Sequence, residues 1–262
     1  MTDHPITVPS PQGGVPAALT RPNGDGPAPA VLLLHGTASH RDEVGGMFAR
    51  LASALAASGV ASLRIDFAGC GASTRPQTDL TVTGELSDAR LAYRWLRGRD
   101  DIDADRVAVL GFSQGGMIAA LLAGAEPGLA GLATWSSGIA DGAFAPLAPA
   151  FAGAGDHATV DLGFTRFTFS RAWWDEIRAI DLRAALAGFD RPVLAVAGSD
   201  DDAVDPAASL ALAGAVASGD VTTVKVAGAD HIFNVLGPGE DRSSAVVALT
   251  ADWFASRLDG AR

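Results

Sequence analysis

The chain has little that would tie it to an oxidising compartment, a metal or a membrane. It holds one cysteine, Cys70, among 262 residues. One thiol cannot form an internal disulfide, and the Cys and His positions lack zinc-binding spacing. Positive charge is also short: 19 Lys and Arg stand against 30 Asp and Glu, a net charge of −11. The acidic residues are scattered, and such a surface repels phosphate backbones and anionic lipid. Neither nucleic acid nor membrane is therefore an expected partner. Apolar runs are broken by Gly, Pro or charge well before the ~18 residues that a spanning helix needs. The opening stretch MTDHPITVPSPQGG has neither the basic n-region nor the apolar h-region of a secretory signal, so a soluble cytoplasmic protein is expected. No repeat occurs at solenoid periods.

What is present is the balance of a globular chain: 48% hydrophobic and 19% charged residues. A length of 262 residues suits one α/β domain without calling for a second. Strand-like apolar runs alternate with helical stretches. The runs 30–35, 60–65, 106–112, 132–136, 193–197 and 221–226 read as strands. The stretches 43–58, 84–97, 114–125, 206–218 and 244–258 read as helices. The strands are continuously apolar, as parallel strands covered on both faces are. Repeated strand–helix order predicts a doubly wound, mostly parallel α/β sheet. Residues 6–21, with SPQGG between two short strand-like pieces, predict an N-terminal antiparallel hairpin.

Residues 138–189 break this rhythm. They begin Ala/Gly/Pro-rich and turn aromatic, with apolar residues at 160, 162 and 164 and then at 167 and 169. A period of two that changes phase predicts a turn between two strands. The expectation is a lid insertion that contains a β-hairpin and crosses the C-terminal edge of the sheet. Phe164, Phe167, Phe169, Trp173 and Trp174 are its candidate substrate-binding residues.

The chemistry points to GFSQGG, residues 111–116. In a G-x-S-x-G turn between strand and helix, the serine takes a strained backbone conformation that pushes its hydroxyl out of the bend. That makes Ser113 a candidate nucleophile at a strand's carboxyl end, where α/β sheets gather their chemistry. A serine hydroxyl needs a base. On such a sheet the partners follow in the order Ser, acid, His, on loops after later strands. Of His4, His35, His40, His157 and His231, only His231 follows both Ser113 and a later strand able to carry the acid. The loop GSDDDAVDP after 193–197 offers Asp200, Asp201, Asp202 and Asp205. Spacing favours one just past Gly198 and leaves Asp200 to Asp202 open. The others read as solvated or as caps of the next helix.

The ordered set LLLHGT, LRIDFAGCGAS, GFSQGG, VLAVAGSDDDAV and GADHIF resembles the α/β-hydrolase superfamily. Within it, the set is most similar to the feruloyl/cinnamoyl-esterase-like carboxylesterases. The resemblance runs over nearly the whole chain outside the lid. It implies that the acid stands three residues after the strand-end glycine, here Asp201. It also implies an oxyanion hole made by the backbone N–H groups of Gln114 and Thr37. The Gln114 amide opens a helix, where orphan donors and the macrodipole favour negative charge. The Thr37 hydroxyl offers a possible third donor. His35 reads as a buried brace of the oxyanion loop, and Asp66 and Cys70 as bracing for the same sheet edge.

The resulting expectation is a serine carboxylesterase acting on a small-molecule ester through Ser113, His231 and Asp201, with neither metal nor organic cofactor. Hydroxycinnamate and short-chain acyl esters are the substrates the resemblance implies. A peptidase, thioesterase or C–C bond hydrolase on the same residues, or a non-catalytic ligand-binding protein of the same fold, are the rivals. Oligomeric state is not legible.

Overall fold

The computed structural model describes residues 4–24, 26–138, 144–153, 155–237 and 239–259. The first half runs β1 (His4–Val8), β2 (Val15–Thr20), β3 (Ala28–Leu34), α1 (Met47–Ala57), β4 (Ala61–Ile65), α2 (Val82–Arg97), β5 (Ile102–Phe112), α3 (Gln114–Ala125) and β6 (Leu132–Trp135). It continues with α4 (Ala148–Phe151), β7 (His157–Asp161), β8 (Arg166–Ser170), α5 (Arg171–Ala179), α6 (Leu182–Leu186), β9 (Val193–Gly198), α7 (Pro206–Ala211), β10 (Val221–Val226) and α8 (Ser243–Leu258).

Eight strands form one sheet in the order β1-β2-β4-β3-β5-β6-β9-β10. All neighbours from β4 to β10 are parallel, and the expected antiparallel hairpin β1–β2 joins β4 at one edge. Successive strand residues point to opposite faces, so an unbroken apolar strand needs two covers. Val31, Leu33, Ala108, Leu110, Leu194 and Val196 pack with residues of α1 and α8. Their alternates Leu32, Leu34, Val107, Val109 and Ala195 pack with residues of α2, α3, α5 and α6. At the sheet edge β10 alternates exposed and half-buried positions, because little covers it there. No helix among the described residues is long and apolar enough to cross a membrane.

Two helices are shorter than their sequence periodicity predicts. The helix expected from residue 43 starts at Met47, after a short 3₁₀ turn at Val44–Gly46. Glu43 takes φ +59°, and its buried carboxylate accepts from the amides of Gly36 and Val44 at 2.7 and 2.8 Å. The chain is held by that carboxylate before it can wind. The helix expected over 206–218 is α only to Ala211 and then tightens to 3₁₀ through Leu212–Ala215.

In the excursion at 138–189, positions 139–143 and 154 lie outside the described residues. The remainder contains the antiparallel pair β7–β8, with His157 opposite Ser170 and Asp161 opposite Arg166. The pair is anchored to the β4–α2 crossover, where the Thr168 amide donates to Gln77 Oε1 at 2.9 Å. From α5, Glu176 accepts the Thr83 amide at 2.8 Å.

Candidate active site

Ser113 directly follows β5, and Thr37 lies just past the end of β3. The two strands are neighbours, with Leu34 paired to Gly111. Chain order reverses between them, since β4 follows β3 on one side and β6 follows β5 on the other. Such a switch point opens a crevice at the strands' carboxyl ends.

The turn is built as its glycines require. Ser113 has φ +51° and ψ −121°, a conformation that L-residues hold only when their surroundings enforce it. Its amide is tied to the Trp135 carbonyl at 2.9 Å. A Cβ at Gly111 would strike the Gly115 carbonyl, and one at Gly115 would strike the carbonyls of Leu34 and His35. The strand and helix therefore approach closely enough to lock the bend that presents Ser113.

His231 follows β10 and Asp201 follows β9. His231 Nε2 lies 3.1 Å from Ser113 Oγ, and Nδ1 lies 3.0 and 2.9 Å from the two Asp201 carboxylate oxygens. The Asp201 side chain is fully buried, whereas that of His231 keeps 20% exposure. Asp201 Oδ1 also accepts from the amides of Ala203 and Val204 at 3.0 and 2.8 Å. The neighbouring carboxylates stand apart from the imidazole. Asp200 is exposed and accepts from Ser199 Oγ, Asp202 is exposed, and Asp205 caps α7 by accepting the Ala207 amide. Of the three aspartates left open by spacing, Asp201 is the one that meets His231.

The Thr37 amide lies on the loop after β3, and the Gln114 amide opens α3 directly after Ser113. Among the described residues neither amide meets a protein acceptor, as a pair of donors reserved for a substrate oxygen requires. The Thr37 hydroxyl is engaged elsewhere, donating to Gln114 Oε1 at 2.9 Å. The Gln114 amide nitrogen Nε2 donates in turn to Glu85 Oε2 at 2.5 Å. In this arrangement the hydroxyl is therefore not a free third donor.

The bracing residues sit behind these loops. His35 is buried; its Nδ1 contacts the Gly36 carbonyl at 2.8 Å, and its Nε2 accepts the Phe67 amide at 3.1 Å. Burial holds its pKa below the usual value, so the ring stays neutral. It ties the loop after β3 to the loop after β4. Asp66 accepts the Arg41 amide and guanidinium, both at 2.7 Å, and the Ala72 amide at 3.0 Å. Burial and three nearby carboxylates push the Cys70 thiol up, so it holds its proton and is no nucleophile.

The aromatic residues of the excursion need a correction. Phe167, Phe169, Trp173 and Trp174 are each at most 4% exposed and belong to the main core. Trp173 stacks on Phe169 with ring centres 4.2 Å apart, and Trp174 stacks on Phe151 at 4.7 Å. Phe164 is 71% exposed in the turn between β7 and β8. Four of the five fill space between the excursion and the body of the protein, and the fifth faces solvent. Among the described residues these rings are engaged in packing, so none but Phe164 is open to a ligand in this arrangement. Alternation and aromaticity are the same for a packed ribbon and a pocket roof, so sequence could not separate them.

Glu43 and Glu85 are buried supports behind the candidate site that sequence reasoning missed. Glu85 reads as an ordinary first-turn helix acid, which suits a helix N-terminus without any partner. Nothing in the pattern signals that it turns inward.

Known proteins match this geometry at several levels. Est1E from Butyrivibrio proteoclasticus, solved with ferulic acid bound, superposes with a TM-score of 0.79 at 21% identity, covering 97% of this chain and 99% of that one. An esterase domain from a Rhodothermus marinus protein gives 0.75 at 22% identity, covering 99% and 100%. At such identities the likeness speaks to the fold alone. An uncharacterized protein of Mycobacterium tuberculosis is 39% identical over 103 residues, 39% of this chain and 34% of that protein. Esterase EstD of Thermotoga maritima is 38% identical over 110 residues, 40% of this chain and 26% of that one. The matched stretches thus span about a third or less of these relatives' own length. The sequence model described as alpha/beta hydrolase fold matches residues 29–161, just over half of the chain. With the strand order, the switch-point crevice and the strained turn after β5, this shows that the chain belongs to the α/β-hydrolase family.

Proposed function

We propose that the protein is a serine hydrolase of carboxylic esters. The observation that carries the reading is the continuous contact from Ser113 Oγ through the His231 imidazole to the Asp201 carboxylate, at 3.1 and 2.9 Å. Ser113 Oγ attacks the ester carbonyl carbon as His231 Nε2 takes its proton. The carbonyl oxygen becomes an oxyanion facing the Thr37 and Gln114 amides. The C–O bond to the alcohol then breaks, and His231 returns the proton to the leaving oxygen. Water attacks the acyl-enzyme with the same proton traffic and frees the acid and Ser113. Asp201 keeps the imidazole proton on Nδ1, so that Nε2 is ready to accept.

Short-chain acyl and hydroxycinnamate esters are the proposed substrates. The esterase names of EstD and of the Rhodothermus domain support the reaction class, and the ferulic acid bound to Est1E supports the acyl group. The described part of the excursion, β7–β8 and α5, is proposed as a roof beside the crevice, with its rings packed inward. Ser113→Ala should keep the fold and lose roughly 10⁴–10⁶ in ester turnover, since such residues act as a unit. Turnover within tenfold of the parent, or no labelling of Ser113 by a fluorophosphonate, would remove the serine from the mechanism. A panel of esters, thioesters and amides of varied acyl length checks the bond class.

A further inference from the structure

Behind the crevice, three side chains from three elements form one hydrogen-bonded row. Glu85, on the first turn of α2, is 3% exposed, and Gln114, which opens α3, is 1% exposed. Gln114 Nε2 donates to Glu85 Oε2 at 2.5 Å, and the Thr37 hydroxyl donates to Gln114 Oε1 at 2.9 Å. The row therefore joins the two residues whose backbone amides face the proposed oxyanion. A primary amide has one accepting end and one donating end. Whatever Glu85 asks of Gln114 decides what Gln114 shows to Thr37.

We propose that Glu85 is a positioning residue for the oxyanion pocket: it sets which end of the Gln114 amide faces Thr37, and so whether the Thr37 hydroxyl proton is held or released toward the substrate oxygen. This inference rests on the serine-hydrolase reading given above.

Two arrangements satisfy the row, and turning the Gln114 amide over about its last side-chain bond interconverts them. An ionised Glu85 can only accept. Gln114 must then give it Nε2–H, and Oε1 takes the Thr37 proton. A neutral Glu85 can donate its O–H to Gln114 Oε1 once the amide has turned over. Nε2–H then donates to Thr37 Oγ1, and the hydroxyl proton is free to point into the crevice as a third donor. No bond forms or breaks beyond the proton on Glu85.

The surroundings set where the balance lies. Besides Gln114 from α3, the groups facing Glu85 are acidic or neutral. Asp88 lies one turn along α2 and is countered by Arg75, Glu176 comes from α5, and the protonated Cys70 thiol comes from the loop after β4. Burial and the charges of Asp88 and Glu176 raise the carboxyl to about 8, against the opposing hydrogen bond from Gln114. The acid is therefore mainly neutral at pH 7, the state in which the third donor can be released, and ionises as pH rises through 8, which locks the hydroxyl onto Gln114.

The test is kcat and KM for one short-chain ester from pH 6 to 10, normalised to serine titrated with a fluorophosphonate, with melting temperatures alongside. The parent should show a fall in kcat of roughly 3–10-fold centred near pH 8 with KM held, a fraction of the roughly 10²–10³ that loss of a whole oxyanion donor costs. Glu85→Gln cannot ionise, and Thr37→Val has no hydroxyl to release. Both should lose that step, and Glu85→Gln should stay within about threefold of the parent at pH 7. Glu85→Leu leaves the amide unanchored and should lower kcat about tenfold, with Glu85→Gln as its rescue. Glu85→Leu combined with Thr37→Val should be no worse than the worse single variant, as for residues acting through one contact. A step near pH 8 that survives in Glu85→Gln overturns the proposal, as do losses from Glu85→Leu and Thr37→Val that multiply independently. Should Glu85→Leu fail to fold, Glu85→Gln and Thr37→Val decide alone. Ser113→Ala, normalised to folded protein instead, separates the two readings. If it is inactive while all Glu85 variants behave as the parent, only the positioning role falls. If it is active, the hydrolase reading falls and takes this one with it.

Discussion

Replacing Asp201 with asparagine exchanges one oxygen for an NH₂ group, and the structure dictates where that group must go. Oδ1 accepts from two backbone amides, Ala203 at 3.0 Å and Val204 at 2.8 Å. An NH₂ placed there would face two donors, so the asparagine carbonyl must take the Oδ1 position. The NH₂ then occupies the Oδ2 position, 2.9 Å from His231 Nδ1. The carbonyl at the Oδ1 position, also 3.0 Å from Nδ1, is already engaged by the two amides, so the NH₂ donates to Nδ1 and shifts the imidazole proton toward Nε2, which points at Ser113 Oγ from 3.1 Å. A nitrogen that already carries a proton cannot take the one on serine. Asp201→Asn should therefore lose on the order of 10⁴ in kcat with KM and melting temperature little changed. Asp200→Asn and Asp202→Asn, both at exposed positions, should each lose less than about tenfold, within the small effects of surface substitutions. The assay is initial-rate kinetics on one activated ester, normalised to folded protein. Asp201→Asn turning over within tenfold of the parent would refute the tautomer argument. So would a 10⁴ loss at either neighbour.

Two further outcomes follow from burial. Trp174 is 4% exposed, stacked on Phe151 and covered by the Arg178 guanidinium 4.9 Å from its ring centre. Trp174→Ala should cost roughly 3–5 kcal/mol of stability. Activity toward acetyl and bulky aromatic esters should fall together through loss of folded enzyme, and a selective loss on the aromatic ester with an unchanged melting temperature would return the residue to the substrate pocket. Glu85 is raised from 4.5 to about 8 in the folded protein, so between those values the folded state holds a proton that the unfolded state has released. Its contribution to stability is full below about pH 4.5 and declines as pH rises to about 8, by roughly 5 kcal/mol at most. Glu85→Gln should thus gain on the parent as pH goes from 5 to 9 in denaturant melts, and a gap that stays constant or shrinks would contradict the buried neutral acid.

The fold was legible because its signals are local. Continuous apolar strands, helices of ordinary length and a glycine-flanked serine each occupy a few consecutive residues, and their order fixes a doubly wound sheet. Ser113 and His231 were expected from order and position, since only one histidine follows a late strand, and the structure places their side chains 3.1 Å apart. Asp201 could not be separated from Asp200 and Asp202 by spacing alone. Three consecutive aspartates point in different directions from one turn, and the family resemblance supplied the choice. Glu85 was invisible for another reason. Which face of a helix turns inward depends on what lies across it, here Gln114 from an element 29 residues away. The aromatic excursion shows the limit from the other side. Its turn was readable from the parity change, but a stripe of rings looks the same whether it covers a cavity or fills one.

The proposed catalytic groups hang from unequal parts of the sheet. Ser113 and Thr37 leave β5 and β3, each paired on both sides, whereas His231 leaves β10, which pairs with β9 alone. Outer strands open with less free energy than the whole fold requires. The molecule can thus come apart in its chemistry before it comes apart in its architecture, with the proton acceptor drifting off while the nucleophile's bend still stands. Heat would first yield a compact, silent species whose activity returns on cooling, and the margin between inactivation and melting would measure how firmly one peripheral ribbon is stitched.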